Sequence, residues 1–129
     1  MEGQILNRVT HVMVPVKKLS ESIEWYTSNL GFNVKWKRND NKMAILELPQ
    51  GPHFFLRESR NETNAHFLLN DDICPVIGLE AKDIRRLLED LKNKGVQIGE
   101  VREERGEGMD FDFYDINGNM LVAHEPFIG

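Results

Sequence analysis

The stretch that decides the fold runs from His11 to Phe32 and reads HVMVPVKKLSESIEWYTSNLGF. Its opening belongs to residues 9–16 (VTHVMVPV), rich in β-branched side chains, which read as a strand ended by Lys17 and Lys18. The period then changes. Leu19, Ile23, Tyr26 and Leu30 recur at spacings of four, three and four, which places them on one face of an amphipathic helix of about ten residues. Ser20 is the expected cap of that helix, and Gly31 can close it in a left-handed turn.

Working outward, three β-like stretches follow: Phe32 to Lys37, Met43 to Leu48 and His53 to Glu58, separated by NDN and by the turn from Pro49 to Pro52. The order so far is β, α, β, β, β. Residues 59–73 (SRNETNAHFLLNDDI) are mixed and weakly periodic, and read as a linker. Beyond them the pattern restarts. Pro75 to Ala81 reads as a strand, and Asp83 can cap a helix carrying Ile84, Leu87, Leu88 and Leu91, closed by Gly95. Val96 to Arg102, Met109 to Asp115 and Met120 to Glu125 complete the set of strands. Asn117-Gly118 between the last two is a hairpin signal, with both residues expected at positive φ.

The halves repeat with an offset of about 65 residues, NLGF at 29–32 lying opposite NKGV at 93–96 and QGPHFF opposite NGNMLV. The expected fold class is therefore α+β: two tandem βαβββ modules within one domain spanning 1–129. Module one covers about 7–58, the linker about 59–73 and module two about 74–128. One helix on a small sheet cannot close a core, so the modules are expected to share one and to leave a cleft between curved mixed sheets.

Composition excludes several classes. The 129 residues, 40% hydrophobic and 29% charged, are ordinary for a single globular domain. Lone Cys74 cannot form an internal disulfide, and MEGQILNRVTHV lacks a basic region followed by a long apolar core, so a reducing cytoplasm is the expected setting. Charged residues interrupt every apolar run well short of the roughly 20 residues of a membrane helix. A formal charge of −5, with basic residues scattered in VKK, KWKR and IRR, argues against a nucleic-acid partner.

Three motifs in order then resemble the glyoxalase/bleomycin-resistance/dioxygenase (vicinal oxygen chelate) superfamily. They are HVMVPVKKLSESIEWYTSNLGF, the helix DIRRLLEDLKNKGV, and FYDINGNMLVAHEP, similar to a closing hairpin usually written D-P-D-G-N. The resemblance implies the fold shared by glyoxalases, bleomycin-resistance proteins and dihydroxybiphenyl dioxygenases, a small-molecule ligand, frequent homodimers, and, in metal-using members, a divalent ion. That ion is held by His or Glu from the first and last strands of each module and polarises substrate oxygens. Position by position, His11 matches; the closing position of module one is Phe55. The opening of module two falls on Val76, or on Cys74 two residues earlier, and its closing position is Val122. One match in four is too few for a catalytic metal, which generally needs about three protein ligands. A displaced site of His11, Cys74 and His124 would use residues on the same strand faces, but each two-residue slide moves a ligand about 7 Å.

The leading expectation is thus a binding-type member without a metal or other cofactor, its pocket lined by His11, Trp36, Phe55, Arg57, Cys74, Val76, Phe113, Val122 and His124. Arg57 shares a strand face with Phe55 and can meet an anionic ligand or sit on a solvated rim. The alternatives are a metal-dependent lyase, isomerase, thiol transferase or ring-cleaving dioxygenase using His11 with non-standard ligands, and a homodimeric interaction module whose cleft is filled. His53 and His66 read as surface residues. Glu103, Glu104, Glu107, Asp110 and Asp112 read as a cation rim or as a solvated loop hinged at Gly106 and Gly108.

Overall fold

The computed structural model describes residues 3–104 and 108–126, which form two compact units, Met1–Ser59 and Arg60–Gly129. In the first, β1 (His11–Val16), α1 (Leu19–Leu30), β2 (Asn33–Lys37), β3 (Met43–Glu47) and β4 (His53–Glu58) follow one another. The sheet order is β1-β4-β3-β2, with β1 parallel to β4 and the other pairs antiparallel.

The helix starts and stops for separate reasons. Gly31 closes it at φ 76°, as the sequence implies, because a left-handed residue there is easiest for glycine. Ser20 does not cap it. The cap position is Lys18, without a side-chain bond, and Glu58 at the end of β4 instead accepts from the Leu19 N–H at 3.1 Å. A carboxylate at a helix start also meets the positive end of the helix dipole, so the cap comes from a distant strand. Tyr26 packs edge-on against Phe32 and Phe54, with ring centroids 5.5 and 6.2 Å apart. That contact fixes the alternation of β4: Phe54 and Leu56 face the helix, so His53, Phe55 and Arg57 point away from it.

In the second unit β5 (His66–Leu69), β6 (Asp72–Pro75), β7 (Ile77–Glu80), α2 (Ile84–Asn93), β8 (Ile98–Glu104), β9 (Gly108–Tyr114) and β10 (Met120–His124) follow in order. The sheet order β7-β10-β9-β8, again with a parallel first and last strand, repeats that of unit one. The α+β class and the duplicated βαβββ pattern therefore hold. Asp83 caps α2 by accepting from the Arg86 N–H at 3.1 Å, and Gly95 takes φ 78°.

Two local expectations are corrected. The stretch 59–73 is not merely connecting chain: β5 and β6 form a hairpin, with Leu69 opposite Asp72. Its two-residue turn, Asn70-Asp71, takes φ 50° and 71°, the pattern of a mirror-image turn suited to strand twist. At Asn117-Gly118, by contrast, only Gly118 has positive φ. Asp115 governs that turn, its carbonyl accepting from Gly118 N–H and its carboxylate from Asn117 and Asn119 N–H at 2.8 and 2.9 Å. Buried Asn119 then ties the hairpin segment to the sheet, its Oδ1 accepting from Ala65 N–H at 2.7 Å. His66 Nδ1 accepts from Met120 N–H at 3.1 Å, so this histidine is held rather than loose on the surface.

Candidate functional site

The face of sheet one turned away from α1 can be read off the register. Met13 is opposite Phe55, Phe55 opposite Ile45, and Ile45 opposite Trp36, so one apolar row crosses all four strands, about 14 Å at the usual strand spacing. Met13 and Trp36 are each 46% exposed, and Ile45 and Phe55 are half-buried. Trp36 reaches this face through a register shift between Val34 and Trp36. Regular pairing from Val34–Leu46 would put Lys35 opposite Ile45 and turn Trp36 toward the helix; the extra residue re-aims the indole.

Polar groups flank the row on both sides. On one side His11 lies opposite His53, and the His11 ring stacks on Phe55 with centroids 4.1 Å apart and planes 13° from parallel. His11 Nδ1 is 2.9 Å from Thr10 Oγ1. Glu47 approaches His53 Nε2 at 3.5 Å and Lys35 Nζ at 4.0 Å, so its charge has compensation nearby. On the other side Arg57 lies opposite Pro15 and Met43. It is exposed, and its side chain has no hydrogen bond or ion pair among the described residues. Of the expected site residues, His11, Trp36, Phe55 and Arg57 thus share one face. Met13, Ile45 and His53 belong to it as well. The two-residue period places Met13 with His11 and His53 with Phe55, and that signal was open to sequence reading.

Sheet two uses the same topology for a different surface. Phe111, Phe113, Leu121 and Ala123 are fully buried on one side. Phe113 therefore belongs to the core, 0% exposed, on the side opposite Val122 and His124. The other side carries Asp110, Asp112, Val122 and His124. Arg102 grips Asp112 in a two-pronged contact at 2.7 and 3.0 Å and also reaches Asp110. The hydrogen bond with Asp112, then that with Asp110, holds the guanidinium well above its ordinary pKa against the opposing effect of burial. His124 Nδ1–H donates to the Glu125 carbonyl at 2.7 Å, and its ring lies over Gly78, the residue opposite Val122. Cys74 is half-buried in β6 opposite Phe67, and Val76 is exposed just before β7.

Of the acidic loop, Glu103 pairs with Arg85 and Asp110 and Asp112 with Arg102, which leaves them engaged rather than forming an open rim. Gly106, Glu107 and the Glu104 side chain lie outside the described residues.

This duplicated sheet topology is matched by sequence: the model of the Glyoxalase/Bleomycin resistance protein/Dioxygenase superfamily covers residues 8–123. The chain belongs to that superfamily. Solved structures agree on the fold. A superfamily member from Sphaerobacter thermophilus is 18% identical at TM-score 0.74, covering 94% of this chain and 98% of its own. An integron cassette protein from the Halifax Harbour sewage outfall metagenome is 22% identical at TM-score 0.72, over 94% and 100%. The fosfomycin resistance protein FosX from Listeria monocytogenes, in a mutant complexed with Mn(II) and a dihydroxypropylphosphonic acid, is 16% identical at TM-score 0.74, over 96% and 94%. Curated proteins contain no match to the sequence.

The superfamily's divalent ion can be tested against the residues present. Phe55 has no lone pair to donate and stacks on the one histidine at an expected ligand position. Val76 and Val122 have none either, and no three His, Cys, Asp or Glu side chains are grouped as a metal site among the described residues. Of the displaced trio, His11 lies in the first unit and Cys74 and His124 in the second. With one donor among the four expected ligand positions, those positions do not fit the ion.

Proposed function

We propose that this superfamily member binds a small organic molecule on the outward face of sheet one, without the ion that metal-using members hold. The observation that carries this reading is the half-exposed row Met13, Phe55, Ile45 and Trp36, with His11 stacked on Phe55. A stacked, partly buried aromatic pair beside an exposed indole offers a flat organic ring both dispersion contact and escape from water. No nucleic-acid or membrane partner is part of the reading; among the described residues no helix is long and apolar enough to cross a bilayer. The test is an NMR titration of isotope-labelled protein with mono- and bicyclic organic compounds. Shifts should concentrate at Met13, Trp36, Ile45 and Phe55. Shifts confined to sheet two, or none at millimolar ligand, would overturn the reading. Elemental analysis after incubation with zinc, nickel, manganese and iron tests the enzymatic alternative, which requires near-stoichiometric metal lost in His11→Ala.

The β5–β6 hairpin favours a second, compatible reading, that the protein pairs with a copy of itself. Phe67, Leu68, Leu69 and Ile73 are exposed on both of its faces, with Val76 beside them. Together they expose on the order of 500 Å² of mostly apolar surface, against about 800 Å² per partner in a standard interface. Wild-type protein should sediment as a dimer at micromolar concentration and Leu68→Glu as a monomer; a monomeric wild type sinks this reading.

A further inference from the structure

We infer that the molecule taken by sheet one is a planar aromatic oxyanion, such as an aryl carboxylate, whose ring lies on the Phe55–Ile45–Trp36 row and whose charge is met by Arg57. The inference rests on the binding reading above and adds the class of ligand. Two observations support it. The first is the state of the charges bordering the row. Glu47, on the His11 side, already has His53 and Lys35 near it. Arg57, on the other side, has no partner among the described residues, so the face presents one uncompensated positive charge although the whole chain is at −5. An incoming cation finds no free carboxylate on this face. An incoming anion finds a five-donor fork that matches the two oxygens of a carboxylate.

The second observation is spacing. Phe55 and Arg57 are neighbours on the same face of β4, about 6.5–7 Å apart along the strand. A bicyclic ring centred over Phe55 and Ile45 carries a directly attached carboxylate to within reach of the guanidinium, with no linker needed. The row also ends in Trp36, which extends the platform to the edge of the sheet. Sheet two lacks both elements: its arginine, Arg102, is held by Asp110 and Asp112.

The effect is bounded. Arg57 is exposed, and an ion pair in water contributes far less than a buried one, so the gain from the charge is about tenfold in affinity at low salt. Calorimetric titration with three probes of matched shape, 2-naphthoate, 2-naphthalenemethanol and 2-naphthylmethylamine, tests it on the full chain. The wild type should bind the naphthoate about tenfold more tightly than the alcohol, and the amine more weakly than either. Arg57→Met should bring naphthoate and alcohol to parity by weakening the naphthoate, and raising the salt should do the same in the wild type. Equal binding of all three by the wild type, or a preference that survives in Arg57→Met, would overturn the inference and leave sheet-one binding intact. Failure of all three probes to bind would overturn both.

Discussion

Sheets one and two share strand order and direction, yet their outward faces differ in what they do with arginine. In sheet two Arg102 is clamped by Asp112 and Asp110 on a polar face. In sheet one the Arg57 side chain has no partner among the described residues and stands beside an apolar row. The topology that a duplicated module imposes sets where side chains point, and the chemistry at those positions is free to diverge. An arginine already satisfied by its own carboxylates serves stability; one left unsatisfied beside an aromatic platform is available to a ligand.

The largest expected effect tests a feature found in the second module alone. Asn119 is buried and joins Ala65 and Asp115, whereas the matching position in the first module is Pro52. Asn119→Ala should destabilise the protein by about 2–3 kcal/mol in urea unfolding, because a backbone donor and a carboxylate lose their partner. Pro52→Ala should stay within about 1 kcal/mol. Equal losses would show that the hairpin segment is not anchored through Asn119.

The arginine contrast follows in size. Arg102→Met should cost about 1–2 kcal/mol, since it strands Asp112, which is 6% exposed, while the partial exposure of the arginine limits the loss. Arg57→Met should change stability by less than about 0.5 kcal/mol. Reversed magnitudes in the same unfolding assay would break the comparison outright.

Smaller still is the turn glycine. Gly51 at φ 90° and Gly118 at φ 83° occupy matching turns, and an added Cβ would have no close contact at either. Alanine at each should therefore cost the same, about 1 kcal/mol from backbone strain alone. Unequal values would mean the turns are not equivalent.

The smallest effect is one of pH. The Arg38 side chain, and then the Lys42 N–H, hold the Asp40 carboxyl below its ordinary pKa at the turn between β2 and β3. A carboxyl depressed by folding lends stability above its unfolded pKa and loses it as pH falls through the folded value, so the contribution should fade below about pH 4. Melting temperatures of wild type and Asp40→Asn should converge there and differ slightly at neutral pH.

Much of this architecture is legible in the sequence, because the change of period at Lys17-Lys18, its return near Asp83 and the turn glycines repeat in both halves. What escapes it are features set by pairing between distant segments. The side of the sheet taken by Trp36 depends on one extra residue in β2, and the partner of the α1 start, Glu58, lies 39 residues away from Leu19. Phe113 shows the limit of alternation alone: Asp112, at 6% exposure, is nearly as buried as Phe111 and Phe113 with Arg102 covering its charge, so burial does not simply alternate along β9. The β5–β6 hairpin was hidden because its turn is Asn-Asp rather than Asn-Gly.

The sequence contains two tryptophans, Trp25 on α1 and Trp36 at the end of the apolar row, so their indole N–H signals report on different places. The decisive measurement is the NMR spectrum of these two signals during titration with 2-naphthoate. Movement of Trp36 in a saturable manner, with Trp25 stationary, is the predicted result. A stationary Trp36, or movement of Trp25 alone, would contradict a ligand site on the outward face of sheet one.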